Sequence, residues 1–129
     1  MQDLDGQKFA IWGLAFKPET DDMREAPAID IIKWLTAAGA LVSVYDPEAM
    51  DAAREIFSSG EVEFCDTMYD ALDRAHALII LTEWHHFRNP DFAKMIKAMT
   101  THIIFDGRNM YDPITMCNNG FDYYSIGRK

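Results

Sequence analysis

Cysteine is scarce: the 129 residues hold only Cys65 and Cys117. The pair has neither metal-ligand spacing nor the density of a disulfide framework, so both are expected as buried reduced thiols with no redox or metal role. Long apolar runs are missing too, and none approaches the ~20 residues that a membrane span needs. The polar opening Met1-Gln2-Asp3-Leu4-Asp5-Gly6 lacks the charged-then-apolar layout of a secretory signal. A cytoplasmic location is expected from that. Positive charge is short as well, with 12 Lys and Arg against 21 Asp and Glu and a formal net charge of -9. Such a surface repels nucleic-acid phosphates, which argues against DNA or RNA as a partner. On so acidic a background, any local group of cations becomes informative.

What is present is core material. Apolar residues make up 49% and aromatics 12% of the chain, enough to fold as a single domain over residues 1–129. Lys8 to Phe16 reads as a buried strand, with Phe9, Ala10, Ile11, Trp12 and Leu14 nearly continuous. Pro27 suits the first turn of a helix that carries Ile29, Ile32 and Leu35 and stops at Gly39. Leu41 to Tyr45 follows as a strand, closed by Asp46-Pro47, and Glu48 to Phe57 as a helix. Val62 to Cys65 is a short strand, and Thr67 N-caps a helix expected to reach about Ala75. Ala77 to Leu81, His102 to Asp106 and Phe121 to Ile126 complete the strands. Between them lie helices opened by Asn89-Pro90-Asp91 and by Pro113. Such alternation predicts an α/β, Rossmann-like three-layer sandwich with a mostly parallel six-stranded sheet of order 3-2-1-4-5-6.

Ligands of such sheets sit at the carboxyl ends of the strands, near the point where the order reverses. The first strand leaves through Gly13-Leu14-Ala15-Phe16-Lys17-Pro18-Glu19-Thr20-Asp21-Asp22-Met23-Arg24-Glu25-Ala26-Pro27. A dinucleotide-binding turn would carry three glycines there, whereas this one carries Gly13 alone. Side-chain cations, Lys17 and Arg24, offer anion binding in place of backbone N–H groups. The alternative is that both simply pair with Glu19, Asp21, Asp22 and Glu25 on a solvated loop. Two more strand ends bear on the choice, Thr82-Glu83-Trp84-His85-His86-Phe87 and Asp106-Gly107-Arg108-Asn109. In the expected strand order Lys17, Arg24 and Arg108 converge on one edge, which suits a phosphorylated small molecule. His85-His86 lacks partners at ligand spacing, so no metal is expected. Trp84 and Phe87 read as packing and Asp46 as a turn residue. No nucleophile–base pair stands out, and no catalytic residue is assigned.

These motifs carry a resemblance. Gly13 to Pro18 with Thr20 to Pro27, then Thr82-Glu83-Trp84, then Asp106-Gly107-Arg108-Asn109 resemble the C-terminal, UDP-binding domain of the UDP-glucose 6-dehydrogenases, in the UDP-glucose/GDP-mannose dehydrogenase family. The resemblance runs from about Lys8 to about Asn109. It implies a larger, homodimeric enzyme with an NAD-binding domain and a central helix, which oxidises UDP-glucose to UDP-glucuronate with two NAD through a cysteine intermediate. It further implies that Phe16, Lys17 and Arg108 contact the UDP-sugar and that Arg24 reaches NAD. The glycine-rich segment around the family's catalytic cysteine has no match here, and neither Cys65 nor Cys117 fits it. The chain on its own is therefore expected not to turn over substrate. Sister enzymes acting on GDP-mannose or UDP-N-acetylmannosamine share much of this pattern, though Phe16-Lys17-Pro18 and Gly107-Arg108-Asn109 suit the UDP-glucose branch better. A phosphorylated receiver module fits poorly, because Asp21-Asp22 comes too late and Arg108 replaces its lysine. A freestanding nucleotide-binding module stays open.

Overall fold

A computed structural model describes residues 5–15, 27–57 and 62–125. Six strands, β1 (Lys8–Trp12), β2 (Leu41–Tyr45), β3 (Glu63–Phe64), β4 (Ala77–Ile80), β5 (Ile103–Asp106) and β6 (Asp122–Ser125), form one sheet. The order is β3-β2-β1-β4-β5-β6 and every neighbouring pair is parallel. The expected α/β architecture is thus present, and the sheet is parallel throughout. Among the described residues four helices, α1 (Pro27–Ala37), α2 (Met50–Ile56), α3 (Phe92–Ala98) and α4 (Pro113–Asn118), make the crossovers with short 3-10 turns.

The period-2 alternation of β1 divides the interior. Phe9 and Ile11 pack with Ala28, Ile32 and Leu35 of α1 and Ala53 of α2 on one face. Ala10 and Trp12 pack on the other with Met95 of α3 and Met116 of α4. Trp12 stacks on Phe87, ring centroids 5.0 Å apart, and its indole N–H donates to the Met68 carbonyl at 2.8 Å. Both rings are fully buried, and burial of each contributes about 1.5–3 kcal/mol. The caps are chemical ones: the Asp91 carboxylate accepts the Lys94 N–H at 3.1 Å, and that of Asp112 accepts the Thr115 N–H at 3.0 Å.

Four expectations are corrected. The helix from Thr67 to Ala75 is only a 3-10 turn at Asp70–Leu72, although Thr67 does cap it by accepting the Asp70 N–H. Arg74 there takes a φ of 61° and donates its N–H to the Ala98 carbonyl, a tertiary bond that a continuing helix would forbid. β1 stops at Trp12 instead of Phe16, because Gly13 turns the chain at a φ of 96°. The helix expected from Glu48 begins at Met50, because Asp46 holds the N–H groups of Glu48 and Ala49 in a turn just before it. Cys117 is exposed; it follows Met116, which α4 turns into the core, so only Cys65 is a buried thiol. Burial and the neighbouring Glu63 push the Cys65 thiol up to about 11, which keeps it protonated and inert. No helix among the described residues is long and apolar enough to cross a membrane.

Candidate functional site

A parallel sheet delivers all its carboxyl ends to one edge, and β1 sits between β2 and β4 where the strand order reverses. At that edge a buried carboxylate ties several turns together. Gly13 donates its N–H to the Tyr45 carbonyl at 2.9 Å, which brings the β1 turn against the end of β2. Asp46, 1% exposed, accepts the N–H groups of Leu14 at 2.7 Å and Ala15 at 3.4 Å on Oδ2. The same oxygen accepts the Trp84 indole N–H at 3.2 Å. Its Oδ1 accepts the N–H groups of Glu48 and Ala49, both at 2.8 Å. Asp46 is a turn residue, as its sequence context suggests, and also the anchor of two further loops.

This arrangement has a direct chemical consequence. In a dinucleotide-binding turn the backbone N–H groups after β1 face a pyrophosphate. Here those of Leu14 and Ala15 already hold a carboxylate of the protein's own. The close approach that Gly13 permits is likewise filled from within, by Thr82, whose hydroxyl donates to the Ala15 carbonyl at 2.7 Å. The N–H groups of Leu14 and Ala15 are therefore not free for an external anion.

A second buried carboxylate organises the β5 end. Asp106, fully buried, accepts the Arg108 N–H at 2.9 Å on Oδ1. On Oδ2 it accepts the N–H groups of Met110 and Tyr111, at 2.7 and 3.3 Å, and the Tyr123 hydroxyl at 2.6 Å. Tyr111 donates its own hydroxyl to the Phe87 carbonyl, and burial, then the nearby Asp106, pushes its phenol far above the usual range. Gly107 passes so close to β4 that a Cβ would lie 3.0 Å from the Ile80 carbonyl oxygen. Asn109, not Gly107, takes the positive φ, at 55°. Sequence reasoning saw Asp106 only as a strand end; a buried carboxylate closing a strand before a glycine is the signal that would have found its role.

Arg108 is the sequence-predicted site residue that the described structure locates. Its Nε donates to Glu83 Oε2 at 3.1 Å and its Nη2 to Oε1 at 2.9 Å, a two-pronged pair joining the ends of β4 and β5. The two side chains are 36% and 30% exposed. Hydrogen bonding by Arg108 holds the Glu83 carboxyl below its ordinary value. A lowered folded-state value means that the stabilisation is present above the unfolded pKa and disappears as pH falls through the folded one. Solvent screening limits it to about 0.2–1 kcal/mol. Urea unfolding at pH 7 and pH 3 should show Glu83→Gln losing less stability on acidification than the unaltered chain. An equal loss would mean the pair contributes nothing.

Phe16, Lys17 and Arg24 lie outside the described residues, which end at Ala15 and resume at Pro27. The structure thus brings Arg108 to the edge from which the Lys17 segment departs. Among the described residues no group of three or more His, Cys, Asp or Glu side chains is placed to hold a metal. His86 packs edge-on against Trp84, centroids 5.9 Å apart. Trp84 and Phe87 are packing residues as expected, but the indole N–H gives Trp84 a second task.

Comparison with known proteins decides the family. Residues 10–113 match the model of the UDP-glucose/GDP-mannose dehydrogenase family, UDP binding domain. The chain belongs to this family. The UDP-glucose 6-dehydrogenase of Rhizobium meliloti is 44% identical over 126 residues, covering 98% of this chain and 28% of that protein. That of Pseudomonas aeruginosa is 44% identical over 127 residues, covering 95% and 28%. Among solved structures, an NDP-N-acetyl-D-galactosaminuronic acid dehydrogenase from Methanosarcina mazei superposes with a TM-score of 0.82 at 28% identity, over 99% of this chain and 26% of that one. A UDP-glucose dehydrogenase from Pyrobaculum islandicum superposes at 0.77 with 29% identity, over 95% and 26%. The chain therefore spans little more than a quarter of the length of these dehydrogenases, and it corresponds to their UDP-binding domain.

Proposed function

We propose that this chain is one UDP-sugar-binding domain of a larger UDP-glucose 6-dehydrogenase, which oxidises UDP-glucose to UDP-glucuronate with NAD. The observation that carries the reading is Arg108 at the ligand edge of a domain whose family is named for binding UDP. The substrate follows from the curated relatives at 44% identity, which are named for UDP-glucose, whereas the superposed structure named for another nucleotide sugar is 28% identical. Phe16, Lys17 and Arg108 are assigned to the UDP-sugar, Lys17 and Arg108 supplying charge that the plugged β1 turn does not. Arg24 is assigned to the NAD pyrophosphate, with NAD held mainly by a domain outside this chain. The reactive cysteine belongs to that remainder as well. Chemistry would then take place in the cytoplasm, between two domains of a homodimeric enzyme.

A surface feature supports an interdomain arrangement. One face of the sheet carries α1 and α2 over β3, β2 and β1. Over β4 and β5 the same face opens into an apolar groove of about 520 Å³, lined by Phe9, Trp34, Ile79 and Phe105. Parallel sheets are ordinarily covered on both faces. The rest of the dehydrogenase polypeptide is the assigned cover.

Titration of the 129-residue chain by calorimetry tests the reading. UDP-glucose is expected to bind more tightly than GDP-mannose or UDP-N-acetylmannosamine, and both Lys17→Ala and Arg108→Ala to weaken it at least tenfold. Mixed with UDP-glucose and NAD, the chain is expected to form no NADH. Unchanged affinity in Lys17→Ala would remove that residue from the site, and turnover would overturn the division of labour between domains.

A further inference from the structure

Three consecutive residues after β4 each reach a different loop. The Thr82 hydroxyl donates to the Ala15 carbonyl at 2.7 Å, at the exit of the β1 turn. The Glu83 carboxylate grips the Arg108 guanidinium after β5, at 3.1 and 2.9 Å. The Trp84 indole donates to Asp46 after β2, at 3.2 Å. Thr82 and Trp84 are buried, so their bonds are made away from solvent. Their partners are 67 residues away in sequence for Thr82 and 38 for Trp84, so these ties set tertiary spacing and not local conformation.

We infer that Thr82-Glu83-Trp84 is a positioning hub: it fixes the β1 turn, the β2 turn and Arg108 relative to one another, and so sets UDP-sugar affinity without contacting the ligand. The inference rests on the UDP-sugar reading above. Glu83 occupies Nε and Nη2 of Arg108 on one edge of the guanidinium, leaving Nη1 for an incoming phosphate oxygen. Without Glu83 the arginine must be ordered anew by the ligand, and the lost side-chain freedom outweighs relief of a solvent-screened repulsion. Trp84 acts by the other route: through Asp46 it steadies the turn that leads to Lys17.

The two routes make a pattern of coupling that a generally weakened fold would not reproduce. Calorimetric titration of the 129-residue chain with UDP is expected to show Glu83→Ala binding about five- to tenfold more weakly. The double variant Glu83→Ala/Arg108→Ala should bind no more weakly than Arg108→Ala alone. Trp84→Phe keeps a ring in the buried slot and removes only the donor to Asp46. It is expected to weaken UDP about threefold, additively with Arg108→Ala and non-additively with Lys17→Ala. Binding by the unaltered chain together with fully additive variants, or with tighter binding by Glu83→Ala, would overturn the hub alone. Absence of UDP binding by the unaltered chain would overturn the UDP-sugar reading, and the hub's role in affinity with it.

Discussion

Replacement of Asp46 by alanine is expected to lower the unfolding free energy by about 3–5 kcal/mol, the range found when one partner of a buried, multiply bonded charge is removed. Four backbone N–H groups and one indole N–H converge on this carboxylate. A single buried donor left without a partner costs about 1–3 kcal/mol. Simple addition would overshoot, because water entering the vacated space would reach some of the five, and the estimate allows for that. Asp46→Asn should fall between the two, since its carbonyl keeps one set of acceptor positions while its amide group turns donors toward donors. Urea denaturation of the three proteins decides the point. A loss below about 1 kcal/mol for alanine would show that the donors find other partners and that Asp46 is a dispensable turn residue.

The consequence should extend beyond stability. Asp46 sits under the exit of the β1 turn, so its loss releases Leu14 and Ala15 just before the segment that carries Lys17. Asp106 plays the parallel part for Arg108, whose backbone N–H it holds. The carboxyl edge of the sheet is thus built on two buried carboxylates that bind the protein's own N–H groups, Asp46 under the β1 turn and Asp106 under the turn after β5.

The architecture was legible because its signals are local. Apolar runs at Ala77–Ile80 and Ile103–Asp106, the proline at the start of α1 and the aspartates before α3 and α4 each specify an element from within a few residues. The place of Arg108 at the sheet edge was legible for a similar reason, since it stands directly after a strand and a glycine. The hub was not. Nothing in Thr82 or Trp84 announces a partner 67 or 38 residues distant, and which residue they meet is set by the register of β1 against β2 and β4. Long-range pairing also overrode local propensity at Arg74, where a bond to Ala98 and a positive φ cut short an otherwise acceptable helix. The uncovered groove escaped notice because a sequence pattern shows which strand residues are apolar, not which helix lies over them.

The second large effect is expected at Gly13, and here the backbone itself is at stake. Its φ is 96°, a region that costs a side-chain-bearing residue about 1–3 kcal/mol. A Cβ built there would stand 2.5 Å from both Cβ and Oγ1 of Thr82 and 2.7 Å from its backbone nitrogen. Rotating Thr82 cannot relieve contacts to its own Cβ and N, so β1 and β4 would have to separate where they pair most closely to the site. Gly13→Ala is therefore expected to cost at least about 3–4 kcal/mol, as strained backbone and overpacking combine. Gly6 supplies the control, because its φ is 79° and an added Cβ would meet nothing within 4 Å. Gly6→Ala should show the conformational cost alone, about 1 kcal/mol. The difference between the two variants, read from thermal or urea unfolding, then measures the close packing of Thr82 on the β1 turn. Equal losses would mean that the turn can open without penalty, and would remove the contact by which Thr82 reaches the edge where the ligand is expected.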